Sequence, residues 1–460
     1  MEIDIILNNH SPKYVQIYEQ LKNTIVTKKL PAHSKLPSKR HLAEDLSVSV
    51  HTVKEAYEQL DAEGFIYSKE RSGYFVSPFE FEWQQIKDTK PFHTLSETLP
   101  TKTDIVFHNG HVDASSFPFT SWRKLFKKHL QPENLLNSPW QGEPTLRFEI
   151  SQYVHRSRGV QCDSSQVFIF GGTQHQLQAL CHFFGSTCIS GIEEPGFKRA
   201  RTIFHHYCHH ASHIVVDEFG VTVPKEKMDF LYTTPAHQFP LGMVMSAERR
   251  ATLLQWAKKN NTYIIEDDYD SEYRFKGQPI PSLAKMDQLQ QVIYSGTFSK
   301  TLIPSIRISY LILPKSLVKS FSNFYKDQKS VVSKIDQLIL SDFIAQGLFD
   351  KHLAKMRTLY RKKQQTLITS IKTHLPNTFQ IIGEKSGLHI VLKLPNFLSE
   401  KEAIQKALSA GVSVYPCSTS FYSKSYSKSN RQMIILGYGG LTFEQIEEGI
   451  LRLKEVWSNP

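Results

Sequence analysis

The chain has 460 residues, 40% of them hydrophobic and 22% charged, a mix that suits a soluble protein of two or three domains with sizeable cores. No apolar run approaches the roughly 20 residues that span a bilayer. Met1–His10 also lacks a basic segment followed by an apolar one, so neither membrane anchor nor secretory leader is expected and a cytoplasmic location is. The net charge is +11, yet residues 1–78 hold ten basic and ten acidic side chains, so net charge is no argument for nucleic acid there.

Pro12–Lys28 sets Val15, Ile17, Tyr18, Leu21, Ile25 and Val26 at helical spacing, with proline near its start. After a turn at Leu30–Pro37, Ser38 is placed to cap a short helix over Lys39–Leu46, striped by Leu42, Ala43 and Leu46. Ser49 caps a third helix that runs through Val53, Ala56, Tyr57 and Leu60 to Glu63, and Gly64 closes it. Only Ser47–Val48 separates the second helix from the third. Phe65–Tyr67 and Tyr74–Val76 then alternate as two short strands joined across Lys69–Gly73. Three helices and a hairpin within residues 1–78 predict a winged helix-turn-helix that binds DNA. Lys28, Lys29, Lys35, Lys39 and Arg40 gather ahead of its third helix. A small helical domain that binds protein is the competing reading of the pattern alone.

Residues 79–103 lose periodicity, carry Pro91 and Pro100, and read as a linker. From 104 to 460, helical stretches alternate with strands at Val167–Phe170, Ile189, His213–Val216, Phe230–Thr233, Tyr263–Glu266, Val292–Tyr294 and Ile308–Leu313. That alternation predicts an α/β domain with a mainly parallel sheet. A long helical region after residue 320, then strands at His389–Lys393 and Gln432–Leu436, predicts a smaller C-terminal lobe. Five scattered cysteines (Cys162, Cys181, Cys188, Cys208 and Cys417) argue against a disulfide framework and for a reducing compartment. His205, His206, Cys208, His209, His210 and His213 crowd one short run without the paired spacing of a tetrahedral site. A solvated polar patch is expected there, and no metal.

Four stretches of the large domain carry chemistry. In YSGTFSKTLIPSIR a lysine follows a strand and a hydroxyl-rich turn, as a pyridoxal-phosphate site requires: an amine to bond the cofactor covalently and hydroxyls to hold its phosphate. Alone this is weak, because lysines beside serines are common on surfaces. IIEDDYD ends an apolar strand in carboxylates, one of which can pair with a pyridine nitrogen. FIFGGTQ leads from strand through glycines into a helix, a cradle of backbone N–H groups for phosphate. LYTTPAHQFPLG ends another strand in polar residues and a turn.

Two resemblances follow from these segments. LPSKRHLAEDLSVSVHTVKEAYEQLDAEGFIYSKERSGYFV closely resembles the GntR family of winged-helix regulators over nearly all of residues 12–76. It implies that Ser38 and Arg40 approach the DNA backbone and nearby bases, that Ser49, His51 and Thr52 open the helix entering the major groove, and that Gly73 lies in the wing. Val50 stands where the family usually has arginine.

The large domain resembles fold-type I aminotransferases, and the whole chain, through HQFP, EDDYDSEYR and GTFSK, resembles the MocR subfamily of GntR regulators. That resemblance implies pyridoxal 5′-phosphate bound at Lys300, with Asp267 facing the pyridine nitrogen and Tyr269 near the ring hydroxyl. It further implies phosphate contacts from Gly172, Thr173, Gln174, Thr297 and Arg307, His237 near the ring, and a homodimer. Arg199 and Arg431 match arginines that bind the carboxylate of an amino acid effector, although a plain surface arginine explains Arg431 equally well.

Phe239 replaces the asparagine of the aminotransferase NPxG turn, and Phe197 lacks a hydroxyl, so weak or absent transamination is expected. The resulting expectation is a regulator of vitamin B6 or amino acid genes, with pyridoxal phosphate or an amine reacting with it as effector. A working aminotransferase with an appended DNA-binding domain is the alternative.

Overall fold

A computed structural model describes residues 4–8, 11–78, 104–275, 280–288, 290–422 and 432–457. The 79–103 segment expected as a linker lies outside the described residues. The chain divides into two compact units, Met1–Leu99 and Pro100–Pro460.

The first unit is a winged helix-turn-helix built from helices Lys13–Val26, Lys39–Asp45 and Val50–Ala62 and a hairpin of Ile66–Lys69 with Gly73–Val76. Its helices form because their apolar residues recur on one face: Ile17, Leu21 and Ile25 of the first pack with Val53, Ala56, Tyr57 and Leu60 of the third. Ser38 Oγ accepts the His41 N–H at 3.2 Å and Ser49 Oγ accepts the Thr52 N–H at 3.1 Å, so both predicted caps form. Each such cap is worth about 1 kcal/mol. Ser47, at φ +52°, reverses the chain between the second and third helices.

The second unit is built on an eight-stranded sheet. Its order is Val167–Phe170, Ser309–Ile312, Val292–Thr297, Tyr263–Asp268, Phe230–Thr233, Ile189–Glu194, His210–Asp217 and Gly220–Val221. The middle of the sheet, from Val292–Thr297 to His210–Asp217, is parallel. Ser309–Ile312 runs antiparallel to both its neighbours. Helices cover the sheet, and two separate apolar clusters fill its faces.

A four-stranded antiparallel sheet, Gln380–Ile382, His389–Lys393, Met433–Gly437 and Tyr415–Pro416, forms the smaller lobe. It shares a core with helices Leu348–His374, Glu400–Ser409 and Phe443–Trp457. The segment entering this unit pairs at Ile105–Val106 with Val412–Ser413 and then passes Gly437 at very close range. A Cβ on Gly437 would lie 2.4 Å from the Asn109 backbone, so only glycine lets that segment carry Asn109 onward to the site.

Candidate functional site

Parallel strands deliver their C-terminal ends to one edge of the sheet, and a cavity of about 420 Å³ opens there. Asp267 comes from the end of Tyr263–Asp268 and Tyr232 from the neighbouring Phe230–Thr233. Thr297, Ser299 and Lys300 come from the end of Val292–Thr297 and the turn after it, and Tyr269, Arg307, Thr173, Gln174 and Arg199 complete much of the wall.

Asp267 is buried. Tyr232 donates its hydroxyl hydrogen to Oδ2, while Oδ1 has no hydrogen-bond partner among the described residues. Burial pushes the Asp267 carboxyl up to about 7; the Tyr232 hydrogen bond opposes the shift, and Asp268, Asp270 and Glu193 add to it. Lys300 donates from Nζ to the Asn109 carbonyl oxygen. Burial brings its ammonium down to about 8, against the pull of Asp270, so a neutral amine is accessible near neutral pH.

At the other end of the cavity, Gly172 (φ +96°) precedes helix Thr173–Phe184, whose first N–H groups have no partner within the helix. A Cβ on Gly172 would meet the Arg307 guanidinium at 2.1 Å. Arg307 Nη2 donates to the Gly171 carbonyl at 3.0 Å, Thr297 Oγ1 accepts the Ser299 N–H at 3.2 Å, and Ser299 Oγ is buried with no partner among the described residues. A helix N-terminus, a guanidinium and an unsatisfied hydroxyl together fit a phosphate. The unpartnered Asp267 oxygen fits a protonated pyridine nitrogen. The donor set therefore suits pyridoxal phosphate.

Tyr269 lines the cavity and donates its hydroxyl to the His237 carbonyl at 2.9 Å. His237, expected near the ring, is only 2% exposed and stands behind Tyr269, with Nδ1 at 3.0 Å from both Asp270 oxygens. His389 takes a place on the wall instead; its Nε2 donates to the Pro240 carbonyl at 2.9 Å, and burial lowers it to about 3, so it is neutral. Phe197 and Phe239 meet edge to face at 5.8 Å on the same wall. Arg199 sits exposed at the rim and makes no hydrogen bond or ion pair among the described residues. Arg431 lies outside the described residues.

Tyr232, Ser299, Asn109 and His389 were not singled out from sequence. Tyr232 and Ser299 lie inside motifs already recognised, LYTTP and GTFSK, and their hydroxyls were the available signal. Asn109 and His389 arrive from distant segments with no such signal.

In the winged helix, Arg40 and His51 are exposed, and Val50, 46% exposed, heads the third helix between Ser49 and His51. Thr52 Oγ1 lies 2.8 Å from Ser49 Oγ, so both hydroxyls cluster at that helix N-terminus. Gly73 (φ +102°) opens the second wing strand, opposite Lys69. Lys39 lies over the Tyr74 ring at 4.8 Å, tying the second helix to the wing.

Residues 13–76 match the bacterial regulatory proteins of the gntR family, and residues 107–429 match aminotransferase class I and II. The chain is 42% identical to the uncharacterized HTH-type transcriptional regulator YdeL of Bacillus subtilis (strain 168), across 99% of this chain and 100% of that protein. It is 32% identical to the probable rhizopine catabolism regulatory protein MocR of Rhizobium meliloti, across 97% and 94%. With the HTH-type pyridoxine biosynthesis transcriptional regulator PdxR of Corynebacterium glutamicum it shares 29% identity, across 85% and 86%. The multiple substrate aminotransferase of Thermococcus profundus shares the fold, with a TM-score of 0.69 at 22% identity over 78% of this chain and 92% of that one. A winged helix of the gntR type joined to an aminotransferase-type domain, over the full length of such relatives, makes this chain a member of the MocR subfamily of GntR-type transcription regulators.

Proposed function

We propose that this regulator binds an operator duplex through its winged helix and senses pyridoxal 5′-phosphate, or an amine that joins it, in the cavity at Lys300. The observation that carries this reading is the pairing, in one cavity, of a buried Asp267 oxygen that has no partner among the described residues with the Lys300 amine. A buried carboxylate oxygen without a donor is costly unless a ligand supplies one.

When bound, the cofactor supplies an aldehyde that captures amines and a ring that withdraws electrons. The chain's own residues do the rest. Asp267 would accept a hydrogen bond from the ring nitrogen, and Thr173, Gln174, Thr297, Ser299 and Arg307 would hold the phosphate, with Gly172 leaving them room. Tyr269 borders the ring and is held by His237, which Asp270 anchors. Lys300, its proton loosened by burial, offers the amine. Arg199 and Arg431 would grip the carboxylate of an amino acid effector.

In the winged helix, Ser38 and Arg40 approach phosphates, the Ser49–Thr52 helix start with His51 enters the major groove, and Gly73 shapes the wing. A cytoplasmic homodimer would present two such helices to repeated half-sites. Its target genes would lie in vitamin B6 or amino acid metabolism; the name of PdxR, a pyridoxine biosynthesis regulator, supports the first of these. Phe239 and Phe197 present apolar rings where polar contacts would aim a reacting substrate, which favours a sensor over a transaminase.

Fluorescence anisotropy tests the proposal. A duplex from upstream of the chain's own coding region is titrated with full-length protein, first with and without pyridoxal phosphate, then with single amino acids. Affinity is expected to change with at least one of these ligands. Unchanged affinity throughout would overturn the sensing half of the reading.

A further inference from the structure

Cys181, Cys188 and Cys208, three of the five free cysteines, meet at the C-terminal end of the helix that carries Arg199. Cys181 lies in helix Thr173–Phe184, Cys208 ends helix Lys198–Tyr207, and Cys188 precedes strand Ile189–Glu194. The Cys208 and Cys181 sulfurs are 3.8 Å apart. Cys181 and Cys188 are buried, whereas Cys208 is half-buried and lines an open hollow of about 630 Å³ with His205, His209 and His213.

From this arrangement we propose a modification site: Cys208 reacts with a hydroperoxide, and Cys181 resolves the product as a reversible intramolecular disulfide.

Access and charge both select Cys208. The hollow admits a small oxidant to Cys208, while the other two sulfurs are covered. Contacts with the Cys181 and Cys188 sulfurs, with help from the Ser190 hydroxyl, hold the Cys208 thiol well below the usual range. The thiolate is the nucleophilic form. Cys181 and Cys188 are pushed the opposite way, chiefly by their hydrogen-bonding contact with Cys208, and keep their protons. Cys162 is pushed up to about 12 by burial and Asp163, and burial raises Cys417 as well, so both serve as unreactive internal controls.

The chemistry balances. The Cys208 thiolate attacks one peroxide oxygen; the O–O bond breaks, the departing alkoxide takes a proton, and Cys208 becomes a sulfenic acid. The Cys181 sulfur then attacks the Cys208 sulfur. Its proton and the departing hydroxide leave as water as the S–O bond gives way to S–S. Two thiols are oxidised by two electrons, and the peroxide is reduced to an alcohol and water. The sulfurs must approach by about 1.8 Å to reach bonding distance.

The bond would tie two helices whose opposite ends both face the cavity. Thr173–Phe184 begins at the phosphate cradle, and Lys198–Tyr207 begins beside Arg199. Oxidation at one end therefore acts on elements that frame the ligand at the other.

The test uses full-length protein, reduced, desalted, exposed to a small excess of hydrogen peroxide and quenched with an alkylating agent. Peptide mass mapping is expected to find a Cys181–Cys208 cross-link that dithiothreitol reverses, with Cys162 and Cys417 still alkylated. Cys208→Ser should abolish the cross-link, and Cys181→Ser should leave a sulfenic acid that dimedone traps at Cys208. Wild-type protein that keeps all its thiols, or a cross-link in Cys208→Ser, would overturn the site. A bond from Cys208 to Cys188 would overturn Cys181 as the resolving partner. The wild-type map decides the matter even if a variant misfolds.

Discussion

Tyr232 hydrogen-bonds one carboxylate oxygen of Asp267 and leaves the other buried with no partner among the described residues. Without cofactor, the folded chain therefore keeps the Asp267 proton up to about pH 7, whereas an unfolded chain releases it near 3.8. Between those values the folded state binds more protons, so stability falls as pH rises from about 4 to about 7 and levels off above. Asp267→Asn can still accept from Tyr232 and carries no charge. It should stabilise the cofactor-free protein at about pH 8 by on the order of 4 kcal/mol, an advantage that fades toward pH 4. Thermal unfolding of both proteins across this range checks it; a constant difference at all pH values would contradict it. The same substitution should weaken cofactor binding.

Purified protein loaded with pyridoxal phosphate should be yellow, and borohydride should fix the cofactor to Lys300. The motive is the partly dehydrated Lys300 amine held at the Asn109 carbonyl. Peptide mapping after reduction reads the attachment site. Attachment to another lysine in Lys300→Ala would show that the cofactor site is misassigned.

Arg40 is exposed and makes no ion pair among the described residues. Arg40→Ala should lower DNA affinity for all sequences and reduce the salt slope by about one. His51→Ala should instead change the preference among operator variants. Binding measured over a salt series, with two or more duplexes, separates the outcomes; equal effects of both changes on every duplex would argue against these roles.

Ser49→Ala removes the side chain that accepts the Thr52 N–H and should cost the winged helix about 1 kcal/mol. Denaturant unfolding, followed by the helical circular dichroism signal, measures it. A loss below a few tenths would show that the cap contributes little here.

Amines bound in the cavity should stay bound with little turnover. Productive transamination needs a substrate clamped so that its Cα–H bond aligns with the ring, and small misplacements carry large rate penalties. The Phe197–Phe239 pair lines the wall where polar contacts would serve that alignment. Incubation with an amino acid panel and a keto-acid acceptor reads turnover. Rates of about 1 s⁻¹ or more, ordinary for enzymes, would favour the aminotransferase reading.

The parts legible in sequence were those written in local pattern. Helix spacing and serine caps marked the winged helix, and strand-end chemistry marked Asp267 and Lys300. Strand direction was not legible: an apolar segment such as Ser309–Ile312 reads the same whichever way it runs. The strand read only at Ile189 continues to Glu194 because its carboxylates are paired as they are buried. Glu193 Oε2 accepts from Thr234 Oγ1 at 2.7 Å, and Tyr422 N–H donates to Glu194 Oε1 at 2.7 Å. His237 falls behind the wall because Asp270, three residues past Asp267, pairs with its ring. Contacts such as Lys300 with Asn109, or Cys181 with Cys208, depend on chain crossings that no local spacing encodes.

The central claim is that the Lys300 cavity governs DNA binding. The direct measurement compares wild type with Lys300→Ala for affinity to one upstream duplex, each without ligand, then with saturating pyridoxal phosphate, then with pyridoxal phosphate plus single amino acids. Affinity of the wild type should shift on adding the cofactor, and that of Lys300→Ala should not. Equal shifts in the two proteins, or none in the wild type with cofactor or amine, would contradict the account.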